Sequence, residues 1–431
     1  MGYIKRKNSN RGQVILLNTI LFLIVSLLLI NGIAYPVISH YQAAAGLLSS
    51  KKALMVTESG VNEAFYRMKR GKQLGSTVSL SLASTTSAVS IMTTTSNKTI
   101  TASTTINGYQ RATTWNIALG TGADFRYGVQ TGQGGFILGN SSSVTGNIAS
   151  IGTITGAGNT ITGDIISAGA SGLVSGIVAS GTVYAHTIQS STVKGDAYYM
   201  SISGTTVNGT SYPNSTDIAT SSITMPIPDS QITNWETDAT AGGTATCSGG
   251  TYTIKNVSAT TTLGPIKIPC DLDIKSSTVV FSGPVWVTGN ITFEVGANIS
   301  ISSSLGSQNV AVIADNQGNR TTSSEVTIST GSSFNGSGAA GSFVFVVSQN
   351  NNAENGGSNV AISISQSSNK LVGYAPHGLI TGGNSASLNA ATGYKVSLSN
   401  GSTLTYDTTL PNTLFKSGAT GGYSPTEWDE I

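Results

Sequence analysis

The chain has 431 residues, a net charge of +2, 9% charged residues and 52 Gly. Ten of its 21 Lys and Arg fall in residues 1–72 against two acids, Glu58 and Glu63, which leaves residues 73–431 with 11 basic and 17 acidic side chains, a net of −6. So acidic and sparsely charged a remainder argues against nucleic acid or anionic membrane surfaces as its partners, and its recurrent Val and Ile argue for a strand-rich fold over disorder.

Met1–Asn10 is polar and basic, with nothing to pack. From Val14 to Ile30 the only polar residues are Asn18, Thr19 and Ser26. With Ile33, Ala34 and Val37 the run exceeds the ~20 residues a helix needs to cross a bilayer. Lys5, Arg6, Lys7 and Arg11 precede it and no base follows until Lys51, so the positive-inside rule keeps the N-terminus in the cytoplasm and exports the remainder. Three readings are open: a cleaved secretory signal, an ordinary anchor, or something more specific. A secretory signal has a shorter apolar core and a small-residue site behind it, and Ala34-Tyr35-Pro36 is a poor site. Beyond the run, Ala43–Ala45, Leu47, Leu48, Ala53, Leu54, Val56, Val61, Ala64, Phe65 and Met68 recur mostly at three- and four-residue steps, and Glu63 with Arg67 adds an i, i+4 pair. The pattern predicts one helix of ~55 residues, about 80 Å long.

This shape resembles the N-terminus of type IV pilins and pseudopilins, more narrowly the PilX-type minor pilins. The resemblance implies a basic prepilin leader, Met1–Gly12, cut by an inner-membrane prepilin peptidase so that the mature chain starts at Gln13. Residues 53–64 look like the Ala-Glu-Ala-Gly-containing segment of PilX-type chains, with Glu58, Gly60, Glu63 and Ala64 at the matching places, and Pro36 lies near where pilin helices often carry a Pro. Major pilins have a Glu where this chain has Leu17, which argues against a bulk filament subunit. The implied partners are inner-membrane lipid, the peptidase and other pilin subunits.

Gly71–Gly75 is expected to break the helix. The alternation in 78–82, 89–91, 99–103 and 113–119 then predicts a small sheet on the C-terminal half of the helix. From about Phe125 a corner recurs: an aliphatic residue, any residue, Gly, often followed by Asn or Asp. It is read at Val144-Thr-Gly-Asn-Ile148, Ile161-Thr-Gly-Asp-Ile165, Val174-Ser-Gly-Ile177, Val193-Lys-Gly-Asp-Ala197 and Val207-Asn-Gly209, with starts 17, 13, 19 and 14 residues apart. Such repetition predicts a right-handed parallel β-helix, with a β-sandwich as the alternative. Pro213, Pro226 and Pro228 interrupt it, and Asp229–Ala241 is expected to be a short helix capped by Asp229 or Ser230. Val287-Thr-Gly-Asn-Ile291, identical to Val144–Ile148, restarts the repeat. The expected organisation is therefore leader 1–12, helix 13–72 (anchor 14–37, amphipathic 38–70), sheet 73–122, β-helix 123–210, linker 211–248, β-helix 249–410 and a C-terminal cap 411–431 with Trp428 against the repeats.

Cys247 and Cys270 are expected to pair, closing a loop worth about 3 kcal/mol. His40, His186 and His377 are scattered, so neither a metal site nor a cofactor is expected. Glycoside chemistry needs two facing carboxylates, and the candidates are Asp164 with Asp196, and Asp271 with Asp273. The first two follow corner glycines, where turn chemistry already favours Asp. Asn97-Lys-Thr and Asn290-Ile-Thr are sites of glycosylation by pattern, as chance provides in so Asn-rich a chain. Tyr198 and Tyr199 suggest a glycan-stacking patch, against the plainer reading of one ring inside and one outside. The function expected is a minor pilin or pilin-like surface subunit, not an enzyme, whose β-helix is adhesive or structural. The alternatives are a membrane-anchored β-helical carbohydrate-active enzyme and an unprocessed, bactofilin-like structural protein.

Overall fold

The computed structural model describes residues 11–69, 77–82, 85–93, 97–119, 122–123, 125–218, 223–255, 258–365, 370–415, 420–421 and 423–430. The protein is mainly β with one long N-terminal apolar helix, α1 (Arg11–Lys69), which runs through Pro36 without a break. The leader residues 1–10 and the helix break expected at Gly71–Gly75 lie outside the described residues.

The two halves of α1 have different surroundings. From Val14 to Ile38 the large apolar side chains are exposed, Phe22 by 74%. The C-terminal half buries Gly46, Ser49, Ser50, Ala53, Thr57, Gly60, Val61 and Ala64, one face at steps of mostly three and four. This face lies on an antiparallel sheet of β1 (Thr77–Leu82), β2 (Thr85–Thr93), β3 (Asn97–Ile106) and β4 (Tyr109–Leu119). Val61 and Ala64 join Val89, Ile100, Ala102 and Ile117 in a small core, and Phe65 meets Trp115 edge-on at 5.8 Å. The approach is close: a Cβ on Gly46 would strike the Tyr109 hydroxyl, and one on Gly60 the Ser87 Oγ. Arg111 Nε donates to Ser50 Oγ at 2.8 Å and Asn107 Nδ2 to Ser49 Oγ at 3.2 Å. The docking face is therefore built of small residues, whereas the apolar periodicity pointed to larger ones. Leu47, Leu48 and Met55 face away from the sheet, 58%, 56% and 67% exposed. The strand Tyr423–Glu430 completes this sheet beside β4, with Trp428 opposite Trp115. Trp428 thus sits on the five-stranded sheet, half exposed, and not against the repeats.

The rest of the chain forms ladders of parallel strands stacked turn upon turn. One inward column runs Tyr252, Leu272, Ile291, Val326, Ile362, Ile380, Val396, Phe136, Ile154, Val174, Ile188 and Ile202, each the register partner of the next. A second is Leu388, Leu404, Val144, Ile161, Ala179, Val193 and Val207. Single turns cannot bury such rows, so stacking supplies the stability.

Stacking order is not chain order. The strand Ala390–Leu398 pairs with Val129–Leu138, and Thr403–Thr405 with Ser143–Thr145. The late half of the chain therefore docks on the start of the early half. The two ends of the stack are Ser211–Pro213, a ladder strand inside the expected linker 211–248, and Thr251–Ile254 just after that range. An outward column shows the span: Thr244, Lys267, Trp286, Ile313, Val347, Tyr374, Thr392, Gln130, Ala149, Ile166, Tyr184, Tyr198 and Tyr212. At ~4.8 Å per step that is roughly 58 Å, and the linker must cross all of it. Its helix α2 (Asp229–Ala241) occupies the range expected, but its N-cap is Pro228 and no side chain caps it, since Asp229 is turned to His377.

Covering this face makes its outward residues a second core. Trp235 of α2 packs on Phe415 at 4.5 Å, Phe345 on Phe415 at 4.7 Å and Phe125 on Phe345 at 5.1 Å. Ile313, Val347 and Tyr374 are fully buried beneath them. Strands buried on both faces lose their two-residue alternation, as Val344–Ser348 does.

Candidate functional site

α1 is the described helix long and apolar enough to cross a membrane, and its apolar stretch makes no packing within the molecule. The Gly12–Gln13 bond falls in its first turn, and the Arg11 side chain lies outside the described residues.

The acidic candidates belong to the architecture of the stack. Asn147 Oδ1 accepts the backbone N–H of Asp164 at 2.9 Å, Asp164 Oδ1 that of Thr182 at 3.0 Å, and Asp196 Oδ1 that of Thr210 at 2.8 Å. In the other half Asp271 Oδ1 accepts from Asn290 N at 2.7 Å and Asn290 Oδ1 from Glu325 N at 3.0 Å. Each corner acid or amide thus receives the N–H of the next turn, which satisfies a backbone donor where the chain bends out of the ladder. The preceding glycines stack as well. A Cβ on Gly163 would collide with the Gly146 carbonyl, and one on Gly209 with that of Gly195. The true third member of this corner is Gly181, not Gly176, because Ile161 pairs with Ala179. Gly176 lies in a different strand position, at a bulge with φ +67. Asp273 pairs with Lys275 Nζ at 2.7 Å, which also holds Glu294 at 2.9 Å. Asp271 and Asp273 share the outward face of their strand, each with a partner of its own, and the Asn290 side chain is engaged as well.

Tyr199 is buried and Tyr198 faces out. Tyr198 is the middle of a three-ring column, stacked on Tyr184 at 4.6 Å and on Tyr212 at 4.4 Å. Burial raises the Tyr184 hydroxyl above its ordinary range, and Tyr198 Oη shifts the same way. The 14-residue spacing of Tyr184, Tyr198 and Tyr212 was the signal for this column.

A cluster of ionisable groups lies under α2, drawn from four separate segments. Arg320 holds Asp315 by two bonds, Nε–Oδ1 and Nη2–Oδ2, both 2.7 Å, with Asp315 fully buried. Glu236 is buried against Asp315, its Oε2 accepting from Gln317 Nε2 at 2.9 Å. His377 lies between Asp229 (Nε2–Oδ2 3.1 Å) and Glu354 (Nδ1–Oε2 2.5 Å). Tyr374 donates to the Ile227 carbonyl and Gln130 Nε2 to that of Thr224 at 2.6 Å. Four carboxyl groups and a histidine thus meet, though Glu236 and Asp315 are closed off from solvent. His40 is exposed on α1, and His186 contacts Thr187 Oγ1 at 3.3 Å. Among the described residues no group of acidic, His or Cys side chains has the form of a metal site.

Cys247 and Cys270 form a disulfide with Cα atoms 6.4 Å apart. It ties the terminal turn of the stack to its neighbour.

The sequence matches no family profile and no curated protein. Among solved structures, the competence-associated pilin ComZ from Thermus thermophilus aligns over 89% of this chain and 98% of its own, at 9% identity and a TM-score of 0.27. At that score the likeness carries no argument about fold or function.

Proposed function

We propose that the chain is a membrane-anchored, pilin-like surface subunit, a minor pilin of a type IV pilus or related filament and not an enzyme. In this reading the N-terminus is cytoplasmic, the prepilin peptidase cuts between Gly12 and Gln13, and the stack, a right-handed parallel β-helix, is carried outside as an adhesive or structural module. The observation that carries the reading is the division of α1: residues 14–38 expose their apolar side chains, and the same helix continues without a break onto its own antiparallel sheet. A helix of that form can sit in lipid first and pack among like helices later, with its soluble half already folded. The conversion of Asp164, Asp196 and Asp271 into backbone acceptors leaves the acids first suspected of catalysis with a structural task.

Protease added outside spheroplasts of cells expressing the full chain tests the anchoring. Digestion of the stack with protection of a fragment ending near α1 is expected. Full protection of the stack in intact spheroplasts, with digestion only after lysis, would overturn it.

A further inference from the structure

We propose that α2 and residues 223–228 before it form a proton-dependent strap, docked on the stack while Glu236 shares a proton with Asp315 and His377 bridges Asp229 and Glu354, and released when those protons leave.

The strap is held differently from everything it covers. Backbone hydrogen bonds join Ser215 to Tyr199 and residues 243–245 to Lys267, but among the described residues none joins 223–241 to the stack. Side chains hold it instead: Gln130 to the Thr224 carbonyl, Tyr374 to the Ile227 carbonyl, His377 to Asp229 and Gln317 to Glu236. The apolar contribution comes from Ile227, Ile232 and Trp235.

The His377 contact, and a further one between Glu236 and Asp315, depend on a proton. Glu236 Oε1 is buried and has no donor in reach, and the Glu236 carboxyl group lies against that of Asp315. Two carboxylate oxygens repel unless one carries hydrogen, so the buried pair is satisfied when Glu236 is protonated and donates to Asp315. The cation at hand, Arg320, turns its Nε and Nη2 donors to Asp315, and neither bond reaches Glu236. At the other end, His377 with a proton on each ring nitrogen donates to both Asp229 and Glu354; neutral, it can donate to only one.

The charged and titratable groups facing the strap are few. α2 itself contributes Asp229, Glu236 and the half-buried Asp238; the 315–320 segment adds Asp315 and Arg320; Glu354 follows in the next turn; and the strand Leu371–Gly382 brings Tyr374 and His377. Lys267 is held over the Trp286 ring at 4.0 Å. Burial, then Asp315, pushes the Glu236 carboxyl up to about 8, and hydrogen bonding to Asp229 raises His377 above its ordinary 6.5. Both folded-state shifts are upward, so docking is strongest below the ordinary values and weakens as pH rises through the raised ones. Asp229 is held below its ordinary 3.8 chiefly by His377, so its own contribution is lost only in strong acid. Release bares Ile313, Val347 and Tyr374, all fully buried when the strap is down.

Hydrogen exchange of the full chain in detergent, corrected for intrinsic rates, tests this. The opening constant of the α2 amides is expected to rise roughly tenfold per unit between about pH 5 and about pH 8 and to level off above, with His377 adding to the rise above about 6.5. The ladder strands Val285–Val287 and Val344–Ser348 should keep their protection throughout. Glu236→Gln, which donates to Asp315 at any pH, should flatten the lower part of the rise. Protection of α2 that is independent of pH, or that falls together with the ladders, would overturn the proposal. The wild type also gives a readout that needs no variant: an infrared band of a protonated, exchange-protected carboxyl group near neutral pH that fades toward about pH 9. Its absence at neutral pH would equally overturn the shared proton.

Discussion

Asp164 Oδ1 accepts the backbone N–H of Thr182 at 3.0 Å, one turn of the stack away, while the N–H of Asp164 is itself accepted by Asn147 Oδ1 at 2.9 Å. The side chain is an acceptor in a ladder of backbone donors. Asp164→Asn keeps an oxygen in place and should change stability by less than about 0.5 kcal/mol, whereas Asp164→Ala leaves a donor without a partner and should cost about 1–2 kcal/mol. Thermal unfolding of the full chain in detergent measures both. Equal losses from the two substitutions would mean that charge, not the acceptor, is what position 164 provides.

The glycine before it is constrained by contact. Gly163→Ala would place a methyl group on the Gly146 carbonyl, in a ladder that cannot widen locally. A loss of about 1–3 kcal/mol is expected. The same substitution at Gly158, where a Cβ meets nothing within 4 Å but φ is +85, should cost only its backbone strain, of order 1 kcal/mol. Comparing the two unfolding midpoints separates crowding from strain.

On α1 the two faces should respond oppositely. Gly46→Leu forces a side chain into Tyr109 and should loosen the sheet β1–β4 from the helix, seen as faster proteolysis between residues 70 and 120. Leu47→Ser, on the exposed side, should leave that proteolysis unchanged. If subunits pack through this outer face, the same substitution should weaken their co-purification. Loosening of the sheet by Leu47→Ser would contradict the orientation of the helix.

The disulfide secures an end of the stack. Reduction, or Cys247→Ser with Cys270→Ser, should destabilise the terminal turn by about 2–4 kcal/mol in the loop-closure account. Hydrogen exchange should then quicken over Thr251–Ile254 and leave the inner strand Ile291–Phe293 as before. Uniform quickening would make the bond a global restraint.

How far the sequence disclosed this arrangement varies from feature to feature. The long helix, the short helix at 229–241 and the cysteine pair follow from local pattern, because helix periodicity and a lone even pair of Cys need no knowledge of distant partners. The corner glycines were visible for the same reason, yet identical corners misled. Val144–Ile148 and Val287–Ile291 share five residues but turn between different faces: Ile148 aligns with Ile165 and Val129, Ile291 with Leu272 and Val326. The pentapeptide encodes how the chain bends, not which bend it is. Hidden altogether was the order of stacking, since nothing local to Ala390–Leu398 says that its neighbour is Val129–Leu138. The cluster under α2 was hidden for the same cause. Asp229, Asp315, Glu354 and His377 are far apart in the chain, and His377 read as a scattered histidine becomes a bridge only once the linker is laid across the stack.

The central claim is that α1 belongs to a subunit that is trimmed and assembled, and the mature N-terminal residue tests it most directly. Mass spectrometry of the full-length protein, expressed with and without a prepilin peptidase, should find a chain beginning at Gln13 only when the peptidase is present. A chain that still begins at Met1 in its presence, or one cut beyond Ala34, would contradict the account.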